Sequence, residues 1–576
     1  MSSSTVAPAP PLDRAQDLCA ELFDALWIED VAGFRSRSAL GAGHLRARVR
    51  PDGWRDGFRL ASAARFETAS TRAELDASAL LALVLDGLPD LPQAIRARTL
   101  AEMTRIGDEL PMREAWIDTL LTETHPDDSI VWERLAAWRD RPFHPLSRSR
   151  HGLDRAQVLA YGTEAGRFFA LSWCALARDH LACAPDAGHP EPATAILDPQ
   201  QHTLLGQEMA RRGLAASHVA LPIHPWQAAH VLPKPFGPEL GDGRIVALDF
   251  RGPLVAATSS LRTVAFPARP GLHLKLPLDV RTLGVRRLLP PQSLHNGLHG
   301  AGLLAAGLAR DPWLCRSVAL ADETAFWHFA ERDGDLFAER PALLGCALRH
   351  IPEGGAAVIP LASLAVAPRG GVPPAARAVT GDAPDLADLF SEIAGLVLGT
   401  VLRSACLGFV PELHGQNALL AFGAGRPCRL ILRDHDTVRC VPDWLVESGL
   451  TVPAYLITDP HRNSLLLPRP DELLAYAQTL AIDVALRAIA EAFAAAGTGF
   501  TLDAGRRILV ATVRGVLAEA DAPSARKALV AACLLDRPTA PFKEVLTPLL
   551  AASTLTTSMP SRLGRAANPL VLGGRS

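Results

Sequence analysis

The sequence predicts an α+β protein of several packed units: a mostly helical N-terminal part, a β-rich middle and a mixed C-terminal part that ends in helices. Three observations support this. The chain has 576 residues, more than one hydrophobic core usually organises, so two to four units are expected. Apolar residues recur at three- and four-residue spacing in both terminal parts. Short β-branched runs alternate with turn residues between positions 219 and 289.

In the first part, the helical spacing predicts helices over residues 13–27, 71–88 and 100–122. Residues 139–152, "RDRPFHPLSRSRHG", are rich in Pro, Arg and His and are typical of an irregular loop. A long helical pattern over residues 153–183 follows. The Pro/Gly/Ala stretch 184–199 then separates it from the β-rich middle.

Beyond the middle, residues 354–384 form another connection rich in Pro, Gly and Ala. A strong helical pattern covers residues 386–407. Two strand-like runs come next, and three helical patterns complete the chain. The strands are predicted over residues 418–422 and 430–433, and the helices over 470–496, 505–519 and 524–535.

Composition excludes several protein classes. A hydrophobic content of 48% and a charged content of 21% are typical of a folded protein rather than of a disordered or fibrous one. The net charge of -3 gives no footprint for general nucleic-acid binding. The nine cysteines lack CxxC or Cys/His metal spacing, which favours reduced thiols in a cytosolic protein.

The start of the chain has neither a basic n-region nor an apolar h-region, so no secretion signal is predicted. The longest apolar stretch, residues 393–410, is interrupted by Arg403 and is short for a membrane span. We therefore expect a soluble, cytoplasmic protein without membrane or nucleic-acid partners.

The most informative segment is "PELHGQNALLAFGAGRPCRLILRDHD", residues 411–436. It places Glu412, His414, Gln416 and Asn417 within six residues, and a β-type run then delivers Asp434 and Asp436. Carboxylates and amides presented from strand ends are suited to holding Mg²⁺ against nucleotide phosphates. The segment therefore predicts a nucleotide site without a glycine-rich phosphate loop.

Three weaker signals come from the β-rich middle. In "SSLRT", Ser260, Arg262 and Thr263 can give hydroxyls and a guanidinium to one phosphate, although a strand edge with a surface arginine is the plainer interpretation. Lys275 stands between two leucines that should face the opposite side of its strand, so it either meets an anion or lies in solvent. Arg286 and Arg287, with Thr282, belong to "DVRTLGVRRLL", which can clamp a polycarboxylate or form a solvated helix face.

Other motifs add less. "HPWQ" after a strand can open a helix and turn His224 and Gln227 toward a site, and "HPLSRSRHG" can form an anion-facing loop through His144, Arg148 and Arg150. The sequence has no GxxxxGK[ST] loop, GxSxG elbow or HExxH pair. "GAGLLA" at residues 300–305 lies in a helical stretch without a preceding strand, which argues against a dinucleotide fingerprint.

In order, "HPLSRSRHG", "HPWQ", "SSLRT", "KLPLDVRTLGVRRLL", "ELHGQN" and "RDHD" resemble the motifs of IucA/IucC-type siderophore synthetases, the NRPS-independent (NIS) ligases. The resemblance spans about residues 144–436. It implies a cupped-hand architecture: a helical thumb over residues 1–138, fingers with phosphate-binding strands over 139–350, and a palm with the HGQN and RDHD motifs over 351–576. The active site would lie between fingers and palm.

The resemblance also implies the chemistry. Such enzymes use ATP and Mg²⁺ to adenylate a carboxyl group of citrate or a related acid, release pyrophosphate, and let an amine or hydroxyl attack the acyl-adenylate. His414, Lys275 and Arg262 would be the catalytic groups. The implied ATP contacts are Ser260, Arg262, Thr263, Lys275, His414, Gln416, Asn417 and Asp436; the implied substrate contacts are Thr282, Arg286, Arg287 and His414; the implied Mg²⁺ ligands are Glu412, Asp434 and Asp436.

Departures from the family pattern are small. "ELHGQN" replaces the usual "EAHGQN", Arg148 stands where a lysine is common, and Thr282 follows the strand lysine by seven positions instead of eight. Family members are often dimers, although no heptad or self-complementary patch in this chain indicates a homodimer.

Two other functions remain open from the sequence. A kinase-like phosphotransferase would place Glu412, Asn417 and Asp434 at a similar spacing, but it would normally use an aspartate base and a glycine-rich loop upstream. A siderophore- or iron-binding protein would need a separate cluster of hard oxygen ligands, and none stands apart from these motifs.

Overall fold

The computed structural model describes residues 14–36, 43–68, 72–122, 128–185, 191–353, 355, 357–460, 463–551 and 562–572. Its helices and strands confirm the α+β class. Buried apolar side chains form three large clusters, one at the N-terminal end, one in the middle and one in the C-terminal part. The division into thumb, fingers and palm at residues 138 and 350 stays a prediction.

The N-terminal part combines helices with short strands. The predicted helix at 13–27 is observed at Arg14–Glu29, and the one at 100–122 begins earlier, at Gln93. The pattern over 71–88 is only partly helical, because Asp76 accepts from the Ala79 N–H and begins the helix there. Its helices are Arg14–Glu29, Ala77–Leu85, Gln93–Thr122 and Ser129–Arg139; its strands are His44–Arg46, Val49–Pro51, Phe58–Leu60, Arg65–Glu67 and Arg72–Glu74.

The middle part is built on a seven-stranded antiparallel sheet, and "HPWQ" opens the helix Pro225–His230 as predicted. The sheet strands, in spatial order, are Phe169–Ala170, Leu254–Ala257, Thr263–Phe266, Arg269–Lys275, Gly345–His350, Phe326–Phe329 and Leu181–Cys183. A second sheet contains Ile245–Ala247, Ser172–Ala177 and His218–Ile223. The helices are Arg155–Tyr161, Pro192–Ile196, Pro199–Arg211, Pro225–His230, Gly237–Gly241, Pro291–Arg310 and Pro312–Ser317.

Two predictions for the middle were wrong. The long helix expected over 153–183 is a single short helix, Arg155–Tyr161, followed by strands. The strand Ser172–Ala177 is almost wholly buried, and an apolar run buried on both faces has no periodicity that separates strand from helix. The run beginning at Asp279 is a hairpin of Leu278–Thr282 and Val285–Arg287, so the interpretation of its arginines as a helix face does not hold.

The C-terminal part contains a four-stranded sheet in the order Val318–Leu320, Arg426–Leu432, Ala418–Gly423 and Ala357–Pro360. Both predicted strands and the helix Leu386–Leu407 are confirmed. A closing hairpin, Thr539–Glu544 with Arg562–Ala567, was not predicted. The other helices are Pro374–Thr380, Pro442–Glu447, Pro470–Tyr476, Arg487–Ala495, Leu502–Glu519, Ser524–Ala531 and Thr547–Ala551, with π-helical turns at Ala477–Leu486 and Ala532–Asp536.

Two helical stretches, Leu386–Leu407 and Pro470–Ala495, are long and apolar enough to cross a membrane by length and composition. Their most apolar windows are 78% and 89% buried inside the protein. Packing within the core therefore accounts for their composition.

Candidate active site

A large cavity of about 1470 Å³ lies where the three parts of the chain meet. A second cavity of about 400 Å³ adjoins it and shares Arg262, Lys275, Arg287 and Asp436 with it. Most of the residues singled out in the sequence line one or both cavities. The strands of the middle part and the hairpin of the C-terminal part thus deliver their polar ends to one place.

The seven-stranded sheet supplies the cationic wall. Arg262 lies in the tight turn before the strand Thr263–Phe266, and Lys275 ends the next strand directly opposite Thr263. The leucines on both sides of Lys275 are fully buried, so the lysine faces the cavity as the strand alternation predicts. The Lys275 ammonium forms an ion pair with Asp434.

The four-stranded sheet supplies the acidic wall. Asp434 follows the strand Arg426–Leu432 with a left-handed φ of 65°, a conformation that aspartate tolerates. Besides Lys275, it pairs with Arg349, whose Nη2 lies 3.0 Å from Asp434 Oδ1. Its backbone N–H donates to Glu323 Oε1 at 2.8 Å. Asp434 is therefore fixed by two cations of the seven-stranded sheet and by Glu323 from an irregular segment.

The two aspartates of "RDHD" differ in how readily they ionise. Burial opposes ionisation of Asp434, but Lys275 and Arg349 hold its pKa well below its ordinary value. Burial also acts on Asp436, and there the carboxylates of Asp434 and Glu412 help to raise the pKa to about 6 against Lys275 and Arg262. Asp436 is thus a cavity-lining carboxylate whose ionised form a further cation would stabilise.

His414 is held in a defined tautomer by its surroundings. Its Nδ1 accepts from the backbone N–H of Gln416 at 3.2 Å and lies 3.2 Å from Arg141 Nη1, which can only donate. The proton of the neutral ring is therefore on Nε2. Burial and then Arg141 keep the pKa of His414 well below its ordinary value. His414 thus lines the cavity as a neutral ring with an Nε2–H donor.

The Gln416 side chain is held by the loop before His144. Arg141 Nη2 donates to Gln416 Oε1 at 3.0 Å, and Gln416 Nε2 donates to Asp140 Oδ2 at 3.2 Å. Asn417, 5% exposed, lines the cavity beside them. Gln416 therefore orients Arg141 as well as facing the cavity.

Arg262, Arg287 and Lys543 are cavity cations that have no carboxylate within 4 Å among the residues that the structure describes. Burial, followed by Arg141 and Arg262, lowers the pKa of Arg287 to about 9. Burial also lowers the pKa of Lys543 to about 8, with Glu412 opposing and Arg141 adding to the shift. Cations crowded in this way favour an anionic ligand.

Glu412 is already engaged by neighbouring side chains. It accepts a hydrogen bond from the Thr437 hydroxyl. Burial opposes its ionisation, but Arg439 and the hydrogen bond from Thr437 bring its pKa down to about 2. A carboxylate with so low a pKa is a weak base.

Some predicted residues lie outside the cavity lining. Thr263 is 1% exposed, and Thr282 is 6% exposed and accepts a hydrogen bond from Arg287 Nε. Arg286 lines only the smaller cavity and pairs with Asp279 and Glu339. In this structure the two threonines support neighbouring groups instead of facing the cavity.

Only part of the predicted anion-facing loop, residues 144–152, lines the cavity. His144 and Arg148 line the cavity, but Arg148 pairs with Glu21 at 3.0 Å, and Arg150, away from the cavity lining, pairs with Glu164 at 3.1 Å. These two arginines are therefore used within the fold.

Sequence reasoning missed four cavity residues: Arg141, Glu323, Arg349 and Lys543. Arg141 stands three positions before His144 in the loop already noted, so its type and place were available as a signal. Glu323 and Arg349 come from an irregular segment and from the strand Gly345–His350, and Lys543 from the unpredicted hairpin. No local motif marks these three.

The chain is similar in sequence to siderophore synthetases. The sequence model of the IucA/IucC family matches residues 128–366, and that of the ferric iron reductase FhuF-like transporter family matches residues 387–557. Staphyloferrin B synthase of Staphylococcus aureus (strain NCTC 8325 / PS 47) is 31% identical over 483 residues, which cover 82% of each chain. Aerobactin synthase of Escherichia coli is 27% identical over 50% of this chain and 53% of that one.

Solved structures share the whole fold. Aerobactin synthetase IucC from a hypervirulent pathotype of Klebsiella pneumoniae superposes with a TM-score of 0.72 at 21% identity, over 97% of this chain and 99% of that one. ATP-bound aerobactin synthetase IucA from the same pathotype gives a TM-score of 0.70 at 19% identity, over 96% and 100%. With the motifs, the fold and a relative of 31% identity in agreement, the chain belongs to the IucA/IucC family of siderophore synthetases.

Proposed function

We propose that this protein is an ATP-dependent siderophore synthetase that adenylates a carboxylate of citrate or a citrate derivative. The acyl group then passes to an amine or hydroxyl nucleophile as an amide or ester, with release of AMP and pyrophosphate. Family membership supports the reaction class. The observation that carries the proposal is the cavity itself, where Arg262, Arg287 and Lys543 lack carboxylate partners within 4 Å among the described residues and line the same space as the Asp436 carboxylate.

We assign the nucleoside of ATP to the smaller cavity and the acid to the larger one. The smaller one has an apolar side that includes Leu456 and Ile457 and polar groups such as Ser293 and Asn463. Its volume of about 400 Å³ lies in the range of small-ligand sites and suits a nucleoside. The triphosphate would then run along the wall that both cavities share, past Arg262 and Lys275.

The acid would lie in the larger cavity beyond the α-phosphate. Arg287, Arg141 and Lys543 are suited to bind its carboxylates, because guanidinium and ammonium groups form strong charge-assisted hydrogen bonds with them. The Nε2–H of His414 would donate to an oxygen of the acid or of the α-phosphate. His414 is therefore an orienting donor in this proposal, since its Nδ1 is already occupied.

Within the described residues, no group of three or more His, Cys, Asp or Glu side chains is arranged as a complete metal site. This fits Mg²⁺, which in nucleotide sites takes one or two protein carboxylates and completes its shell with phosphates and water. Asp436 would hold it, with Asp434 and Glu412 nearby. When bound, Mg²⁺ supplies positive charge to the phosphate oxygens.

The proposed reaction has two steps. A carboxylate oxygen of the acid attacks the α-phosphorus, and the bond from that phosphorus to the bridging oxygen of pyrophosphate breaks. Arg262 and Lys275 neutralise the charge that builds on the departing pyrophosphate. The nucleophile then attacks the acyl carbon, AMP leaves with the bonding electrons, and the nucleophile's proton passes to solvent.

A kinase-like phosphotransferase is the alternative from a different reaction class. Its catalytic base would be Glu412, whose pKa of about 2 and hydrogen bond from Thr437 fit that role poorly. The test incubates the protein with ATP, Mg²⁺, a panel of citrate-type acids and a panel of amines. AMP with pyrophosphate, dependent on the acid, supports the synthetase; ADP as the product would establish the phosphotransferase instead.

A further inference from the structure

The large cavity extends beyond the groups assigned to ATP and the acid, along the helix Arg14–Glu29. This helix turns Glu21, Asp24 and Trp27 toward the cavity at three-residue spacing, and Phe58 and Phe143 lie on the same side. The volume of about 1470 Å³ exceeds the 300 to 1,000 Å³ or so of a single small-ligand site. The outer half therefore has room for a second substrate.

Most charges of the outer half are paired within the protein. Glu21 forms ion pairs with Arg139 and Arg148, each at 3.0 Å. Asp17, at the open end, pairs with Arg369 at 3.2 Å.

A second network lies deeper. Arg59 binds Glu491 at 2.6 Å and Asp52 at 2.5 Å, and Arg487 reaches the same two carboxylates at 2.8 and 3.2 Å. These two guanidiniums and two carboxylates balance one another. Neither guanidinium is therefore free to bind a further acidic group.

Asp24 is that further group. Its Oδ2 lies 3.7 Å from Arg59 Nε, beyond hydrogen-bond distance, and Arg59 is already bound on its other side. Its Oδ1 is buried and has no hydrogen-bond partner within the described part of the chain. Burial raises the pKa of Asp24 to about 7, with Arg59 opposing the shift. A buried acceptor of this kind is costly unless a ligand completes it.

Aromatic rings lie beside Asp24. Trp27 follows it by one helical turn and packs edge-on against Phe58, with the ring centroids 6.0 Å apart. Phe58 is 46% exposed although it is a large apolar side chain. A carboxylate next to open aromatic faces is the combination that binds ammonium groups, through charge and through cation–π attraction.

We propose, on the basis of the proposed function, that Asp24, Trp27 and Phe58 bind the second cationic group of an extended di- or polyamine nucleophile. The reacting amine of the same molecule would reach the acyl-adenylate near His414. Several residues lie between the two ends: Arg141 lies 3.2 Å from His414, the Arg59 guanidinium lies 5.8 Å from the centre of the Phe143 ring, and Arg59 Nε lies 3.7 Å from Asp24 Oδ2. The second ammonium must therefore be many bonds from the reacting nitrogen.

The test compares 1,8-diaminooctane with 1-aminooctane, and 1,3-diaminopropane with 1-aminopropane, as nucleophiles with ATP, Mg²⁺ and the accepted acid. Amide formation is followed by product mass, and hydroxylamine trapping reports adenylation separately. The wild-type protein is expected to favour the long diamine over its monoamine by about tenfold or more in kcat/KM, the worth of one charge-assisted contact. The values of kcat/KM for 1,3-diaminopropane and 1-aminopropane should differ little.

In Asp24→Asn, the kcat/KM values for 1,8-diaminooctane and 1-aminooctane should agree within about twofold, because the isosteric amide keeps the shape and removes the charge. Asp17→Asn, on the same helix and paired with Arg369, should keep the wild-type ratio. Hydroxamate formation by both variants shows that they fold and adenylate. Equal use of the long pair by the wild type, or a preference that survives Asp24→Asn, would overturn the inference alone. Absence of hydroxamate in the wild type would overturn the proposed function, and the inference with it.

Discussion

Individual side chains of the site were predicted where their chemistry is tied to strand geometry. Lys275 faces the cavity because its two leucine neighbours are buried on the other side, and alternation makes that visible in the sequence. The ion-pair partners of these side chains could not be predicted from the sequence. Asp434 is paired with Lys275 and Arg349 while Asp436 is not, and that difference depends on contacts between segments distant in the chain.

Arg262 is the most direct residue-scale test of the phosphate wall. Arg262→Ala should lower hydroxamate formation by roughly 10²- to 10³-fold, because it removes a preorganised cation from the departing pyrophosphate. Thermal unfolding should change little, since Arg262 has no ion-pair partner to lose among the described residues. Arg244→Ala, which removes a surface ion pair with Asp242, is the control. Near-wild-type turnover in Arg262→Ala would refute the assignment.

The tautomer of His414 gives a second prediction. If His414 acts as an Nε2–H donor, His414→Gln should retain at least about tenfold more adenylation than His414→Leu, because the glutamine amide can still donate from a similar position. The measurement is the rate of pyrophosphate release at saturating ATP. Equal and complete loss in both variants would indicate a proton-accepting role instead.

At the scale of elements, most of the predicted helices and strands were found, but an apolar run buried on both faces has no periodicity that separates strand from helix. The strand Ser172–Ala177 was assigned to a helix for this reason. The closing hairpin was missed as well, and with it Lys543. "GAGLLA" was rightly set aside as a dinucleotide motif, since it lies within the helix Pro291–Arg310.

Two glycines of that helix, Gly300 and Gly307, allow close packing against neighbouring segments. A Cβ at Gly300 would collide with the His435 carbonyl in the "RDHD" turn, whereas a Cβ at Gly302 would meet nothing within 4 Å. Gly300→Ala should displace the turn that carries Asp434 and Asp436 and lower adenylation at least tenfold, as small misplacements of reacting groups do. Gly302→Ala should keep activity and add up to about 1 kcal/mol of helix stability. Unchanged pyrophosphate release in Gly300→Ala would contradict this.

At the scale of the whole molecule, a buried ion pair joins the N-terminal part to the end of the strand Arg426–Leu432 in the C-terminal part. Glu133 and Arg433, both 3% exposed, form it, and Arg433 Nη2 also donates to Ser259 Oγ at 3.1 Å. Burial opposes ionisation of Glu133, but Arg433 lowers its pKa to about 2. This contact links three regions, and nothing in the local sequence of any of them predicts it.

Breaking the ion pair between Glu133 and Arg433 should lower the free energy of unfolding. Glu133→Gln should cost about 3 to 5 kcal/mol in urea unfolding at pH 7, because Arg433 is left buried without a counter-charge. The folded-state pKa is depressed, so the contribution of Glu133 is fully present above its ordinary value of 4.5 and is lost as pH falls toward about 2. The difference in free energy of unfolding between Glu133→Gln and the wild type should therefore become smaller below about pH 4.5. A gap independent of pH, or no gap at pH 7, would contradict the assignment.

The central claim is that one cavity brings the acid carboxylate to the α-phosphorus of ATP. Its most direct test supplies the acid with its carboxyl oxygens labelled with ¹⁸O, together with ATP, Mg²⁺ and an amine, and analyses the nucleotide product by mass spectrometry. The account predicts one ¹⁸O atom in AMP for each amide formed. Label in inorganic phosphate with ADP as the nucleotide product, or unlabelled AMP alongside amide, would contradict it.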